Sequence, residues 1–118
     1  MTRQIEFTGK SGTIYRYSGL DEARTAPPAG ANYLIVEATA TGTSILFAGE
    51  TDNLSRSDWR GPLAEARSRY ERAEVLTRLN VRSAVRQAEQ ADLIEAYAPP
   101  MNEAPSSATA NASAGQAE

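Results

Sequence analysis

Apolar and polar positions alternate along the first third of the chain and then change period. Residues 3–8 and 13–17 carry Ile5, Phe7, Ile14, Tyr15 and Tyr17 on either side of Gly9-Lys10-Ser11-Gly12, the pattern of a β-hairpin. Residues 20–30 hold Pro27-Pro28 and Gly30, and a proline pair does not fit a central strand, so this stretch reads as a loop. Residues 32–38 and 44–47 are strongly apolar and are joined through Thr39-Ala40-Thr41-Gly42-Thr43, which predicts a second antiparallel hairpin. Residues 49–52 read as a turn, with Asp52 or Asn53 placed to cap a following helix. That helix is interrupted at Gly61-Pro62 and resumes over residues 63–70. Residues 73–79 read as a strand. Residues 81–97 predict the clearest helix, with Ala84, Ala88, Ala91, Ile94 and Tyr97 forming its apolar stripe, and Pro99-Pro100 ends it.

The order hairpin, hairpin, helix, strand, helix predicts an α+β fold: a small, mostly antiparallel sheet flanked by helices, with an N-terminal β-hairpin extension. Three regions follow: residues 1–30, the hairpin and loop; residues 31–103, the main domain; and residues 104–118, an Ala- and Ser-rich tail. The tail has no large apolar side chain, so ordering it would bury almost nothing and disorder is expected.

Composition narrows the chemistry. At 118 residues with 41% hydrophobic and 23% charged content, the chain suits one soluble globular domain. There is no Cys and no His, which removes disulfides, thiolate metal sites and the commonest general base. The N-terminus meets charge too early for a signal peptide, and no apolar run reaches membrane length, so a cytoplasmic location without a membrane partner is expected, nucleoid association included. The net charge of −3 is unevenly spread. Residues 56–86 hold eight arginines against four acidic residues, a net +4 that leaves the remainder at −7. An Arg-rich middle suits phosphate recognition or a solvated, ion-paired surface. Trp59, the only Trp, suits either stacking on a base or packing in the core.

Two separated segments carry a resemblance. The first runs from Ala31-Asn32-Tyr33-Leu34-Ile35-Val36 to Leu46-Phe47-Ala48-Gly49-Glu50-Thr51-Asp52-Asn53-Leu54, and the second from Glu89-Gln90-Ala91-Asp92-Leu93-Ile94 to Pro99-Pro100-Met101-Asn102. In order and spacing they resemble the GIY-YIG nuclease domain over most of residues 31–102. The resemblance implies a metal-dependent phosphodiester-cutting face built from a Tyr in each signature, an Arg on the next helix and a Glu on the last. Tyr33 stands at the first Tyr, and Phe47 replaces the second. The Arg position falls on Ser57, with Arg56 one residue early and Arg60 nearby. The metal position falls on Gln90, with Glu89 one residue early. Asn102 matches the family's terminal Asn, for which the resemblance implies a backbone-holding role.

With most catalytic positions changed, the resemblance implies a nucleic-acid-binding domain, for DNA before RNA, without cleavage and without a cofactor. Its expected contacts are Arg56, Trp59, Arg60 and Arg67. The alternative is an active or weakly active endonuclease that uses Tyr33, Arg56 and Glu89 with Mg²⁺ or Mn²⁺. A protein-interaction module is the third reading.

Overall fold

The computed structural model describes residues 4–103; the predicted tail lies outside them. Five strands form one antiparallel sheet: β1 (Gln4–Thr8), β2 (Ile14–Gly19), β3 (Ala31–Thr39), β4 (Gly42–Thr51) and β5 (Ala73–Leu79), in the spatial order β1-β2-β5-β3-β4. Three helices accompany them: α1 (Arg60–Arg69), α2 (Ser83–Tyr97) and the single turn α3 (Pro100–Glu103). A 3-10 turn, Leu54–Arg56, leads into α1. The α+β class and the antiparallel sheet agree with the sequence pattern.

The N-terminal hairpin belongs to the same sheet as the rest. β2 joins β5 through Ser18 opposite Thr77 and Gly19 opposite Leu76. One core lies on each side. On the α1 side, Tyr33, Ile35, Leu46, Leu54, Trp59, Leu63 and Val75 pack together; on the α2 side, Phe7, Tyr17, Leu34, Val36, Ile45, Leu76 and Leu93 do. Strand alternation explains this division, since successive β3 side chains point to opposite faces.

Three expectations need correction, and the β3–β4 pairing adds a feature of its own. Residues 49–52 are not a turn, because β4 continues to Thr51, paired with Ala31. The apolar run Ile45–Ala48 hides a register shift: Phe47 lies opposite Ile35 but Ile45 opposite Val36. Leu46 is the extra residue, so Leu46 and Phe47 both meet the α1-side core, as a β-bulge requires. The helix after Gly61-Pro62 begins earlier, at Arg60, with Pro62 inside its first turn, where no intrahelical N–H bond is lost. Finally, α2 does not bury its alanine stripe. Ala84, Ala88 and Ala91 are exposed, and the helix lays Arg86, Glu89 and Leu93 on the sheet. Alanine offers little area to bury, whereas the polar pair finds hydrogen-bond partners there.

Candidate nucleic-acid interface

Tyr33 stands on the central strand β3, directly opposite Gly49 of β4. Its ring lies so close that a Cβ on Gly49 would meet it at 2.4 Å, which only glycine permits. Phe47, two residues along β4, tilts against the same ring at 6.1 Å between centroids. Tyr33 is 5% exposed, and burial, with Asp58 and Glu50 nearby, pushes its pKa up to about 12. A phenol so raised is a poor base near neutral pH.

The Thr51-Asp52-Asn53-Leu54 element builds the corner between β4 and α1. The Thr51 hydroxyl donates to Asp58 at 2.6 Å, and the Asn53 side chain accepts from the Ser55 N–H at 3.0 Å, capping the 3-10 turn. Leu54 is buried in the α1-side core. Arg56 projects from this turn, exposed, and pairs with Asp52 and with Asp58. Ser57, where the resemblance would place an Arg, takes the left-handed conformation that ends the turn (φ 59°).

Glu89 and Gln90 of α2 are both engaged with protein. Glu89 is 2% exposed. One carboxylate oxygen accepts from the Tyr17 hydroxyl at 2.5 Å; the other accepts from Arg78 Nε at 3.2 Å and Asn80 Nδ2 at 3.4 Å. Gln90 donates to the Ala48 carbonyl at 3.1 Å. Among the described residues no group of three or more acidic side chains converges that could hold a metal. No hydrogen bond or ion pair joins Tyr33, Arg56 and Glu89 to one another.

Around Glu89 runs a buried polar network that the sequence reading missed. Arg86, 4% exposed, donates from Nε to Glu50 at 2.8 Å and from Nη1 to the Asn80 and Val81 carbonyls. Asn32, 1% exposed, donates to the Arg86 carbonyl at 2.9 Å and accepts from Asn80 at 3.1 Å. Gly30 admits the Arg86 head, since a Cβ there would lie 2.3 Å from Nη1. The available signal was Asn32 itself: a polar residue inside an apolar strand requires partners once buried.

Trp59, Arg60 and Arg67 are brought together at the outer side of α1, where they share a cavity of about 490 Å³ with Glu22, Leu63 and Ala64. Of the two roles open to Trp59 the structure shows core packing: the indole is 1% exposed, and Arg60 covers its ring with Cζ 4.4 Å from the centroid. Arg67 pairs with Glu22 through two parallel bonds of 3.0 and 2.7 Å. Arg24, Arg72 and Arg82 are exposed and make no side-chain hydrogen bond or ion pair among the described residues.

A second concavity, about 890 Å³, opens on the α1 side of the sheet where α1 leaves β1 and β2 uncovered. Ile14 and Leu79, 60% and 59% exposed, stand in it beside Arg16 and Arg78. No helix among the described residues is long and apolar enough to cross a membrane. No protein-family model, no curated protein and no solved structure matches this chain.

Proposed function

We propose that this chain is a nucleic-acid-binding domain of GIY-YIG-like architecture that holds its ligand without cutting it. The observation that supports this reading most is the fate of the α2 carboxylate. Glu89 is buried under three protein donors, and Gln90 beside it is tied to the Ala48 backbone. Water activation would need a carboxylate with open oxygens and a metal beside it; here those residues hold helix to sheet instead. Phosphate recognition needs only exposed guanidinium groups, and the surface carries them at Arg24, Arg60, Arg67, Arg72 and Arg82.

The test is a titration of the protein against labelled single-stranded, duplex and branched DNA, with Mg²⁺, with Mn²⁺ and with chelator, reading mobility and strand integrity together. The reading predicts a shift with intact strands under all three conditions. Metal-dependent products would assign an endonuclease instead. Neither shift nor product would turn attention to protein partners and to the open groove beside Ile14 and Leu79.

A further inference from the structure

Arg67 presents a guanidinium already set for a two-oxygen anion. Its Nε donates to the Ala73 carbonyl at 3.0 Å, which fixes the side chain between the end of α1 and the start of β5. The two terminal nitrogens then point in parallel at the two oxygens of Glu22, at 3.0 and 2.7 Å. Arg60 stands about two helical turns before it, with its guanidinium over the Trp59 ring, and donates to the main-chain carbonyl of the same Glu22 at 2.9 Å. One loop residue therefore supplies acceptors to both arginines over the cavity lined by Trp59, Leu63 and Ala64. Two parallel N–H groups at this spacing match a carboxylate and the two free oxygens of a phosphodiester equally well.

We infer that Glu22 is an internal stand-in for phosphate: Arg60 and Arg67 form a seat for a phosphodiester of a nucleic-acid strand, and the 20–30 loop keeps that seat closed until the strand displaces Glu22. This rests on the nucleic-acid reading proposed above and adds its regulation. The closure is built to yield. The Glu22 and Arg67 side chains are 33% and 43% exposed, so water screens their attraction and the pair is weak. The loop is tied down at its two ends, by Leu20 N–H to the Val75 carbonyl and by Leu54 N–H to the Ala29 carbonyl. Between them, the Ala23 and Arg24 N–H groups bond back to Asp21, and the bonds from residues 21–24 to the rest of the protein are those of Glu22 with Arg60 and Arg67. Arg24, exposed in that same turn, would add a third positive charge beside the opened seat. The arrangement also accounts for a chain of net charge −3 that carries a phosphate site: the guard carboxylate lowers affinity for stray polyanions.

The experiment compares the full chain with Glu22→Gln, Glu65→Gln and the double variant Glu22→Gln/Arg67→Ala. Glu65 pairs with Arg69 on the same helix, so Glu65→Gln changes net charge equally without freeing the Arg67 fork. Binding of a fluorescein-labelled oligothymidine strand, and of a duplex of equal length, is followed by anisotropy across a salt series. Trp59 emission gives a second readout at the site itself. Glu22→Gln is expected to bind roughly two- to five-fold more tightly at low salt. Its affinity should also fall more steeply with salt, by about one phosphate contact in the log–log slope. Glu65→Gln should stay near the parent, and Arg67→Ala should erase the gain. Glu22→Gln binding no better than Glu65→Gln, while the parent binds, overturns the closed seat and leaves the nucleic-acid reading standing. No binding by any variant at low salt overturns both. The preference between strand and duplex identifies which form the seat takes.

Discussion

Glu89 keeps its place under α2 because Tyr17, Arg78 and Asn80 all direct hydrogens at it, and removing it would leave those donors facing a void. Glu89→Ala is therefore expected to lower unfolding free energy by about 3 kcal/mol in urea denaturation. Glu95→Ala, exposed on the same helix, should stay within about 0.5 kcal/mol of the parent; equal effects would refute the assignment. Gly49→Ala should cost about 1–3 kcal/mol, because the added methyl meets the Tyr33 ring in a packed core. Two other carboxylates set the acid response. Asp92 sits below the usual carboxylate range because it accepts from the Tyr15 hydroxyl and from Ser11; Asp58 does so because of the Thr51 hydroxyl and Arg56. Depressed folded values mean stability that is present above the unfolded value of about 4 and is lost as pH falls through the folded one. Urea midpoints should drop across that acid window, and Asp92→Asn should flatten part of the fall; an unchanged profile in Asp92→Asn would count against the Tyr15 and Ser11 hydrogen bonds as its source. At this scale the sequence was partly legible. An aromatic in a strand and a lone Asn among apolar neighbours are visible signals. That Glu22 faces Arg67 across 45 positions of chain is not, since nothing local encodes a long-range pair.

Elements were legible where one rule governed them. The N-terminal hairpin, β3, β5 and the proline-ended α2 follow from alternation, helical period and turn residues. The β4 bulge was not, because a continuous apolar run conceals its own register. The inward face of α2 was misread because a hydrophobic count favours alanines over an Arg–Glu pair whose partners lie on distant strands. The edge of β4 shows how terminal residues finish the fold. Asn102 accepts from the Ala48 N–H at 2.7 Å and donates to its carbonyl at 3.0 Å, so one side-chain amide occupies the place of a neighbouring strand. Asn102→Ala should lower stability by about 1–2 kcal/mol and raise concentration-dependent association through the opened edge, both measurable by denaturation and light scattering. The opposite end of the sheet is more loosely joined, since β2 meets β5 at only two residue pairs. Native-state hydrogen exchange should find the β1 and β2 amides opening at lower free energy than those of β3; uniform protection would contradict this picture.

Among the described residues, a −3 chain with a +4 middle segment puts its arginines to different uses. Arg86 and Arg78 are drawn into the α2 network, Arg56 and Arg67 face carboxylates at the surface, and Arg24, Arg72 and Arg82 face solvent. Sequence charge alone does not separate these classes, because the separation depends on which acidic residues the fold brings alongside. Binding is therefore expected to be modest in strength and dominated by a few phosphate contacts. The most direct measurement is the affinity of the full chain for a labelled single strand as a function of salt, with Mg²⁺ present and the strand recovered afterwards. The expected result is measurable binding at low salt, a log–log slope corresponding to about two to four phosphates, and an intact strand. Strand scission, or no binding at the lowest salt, would contradict it.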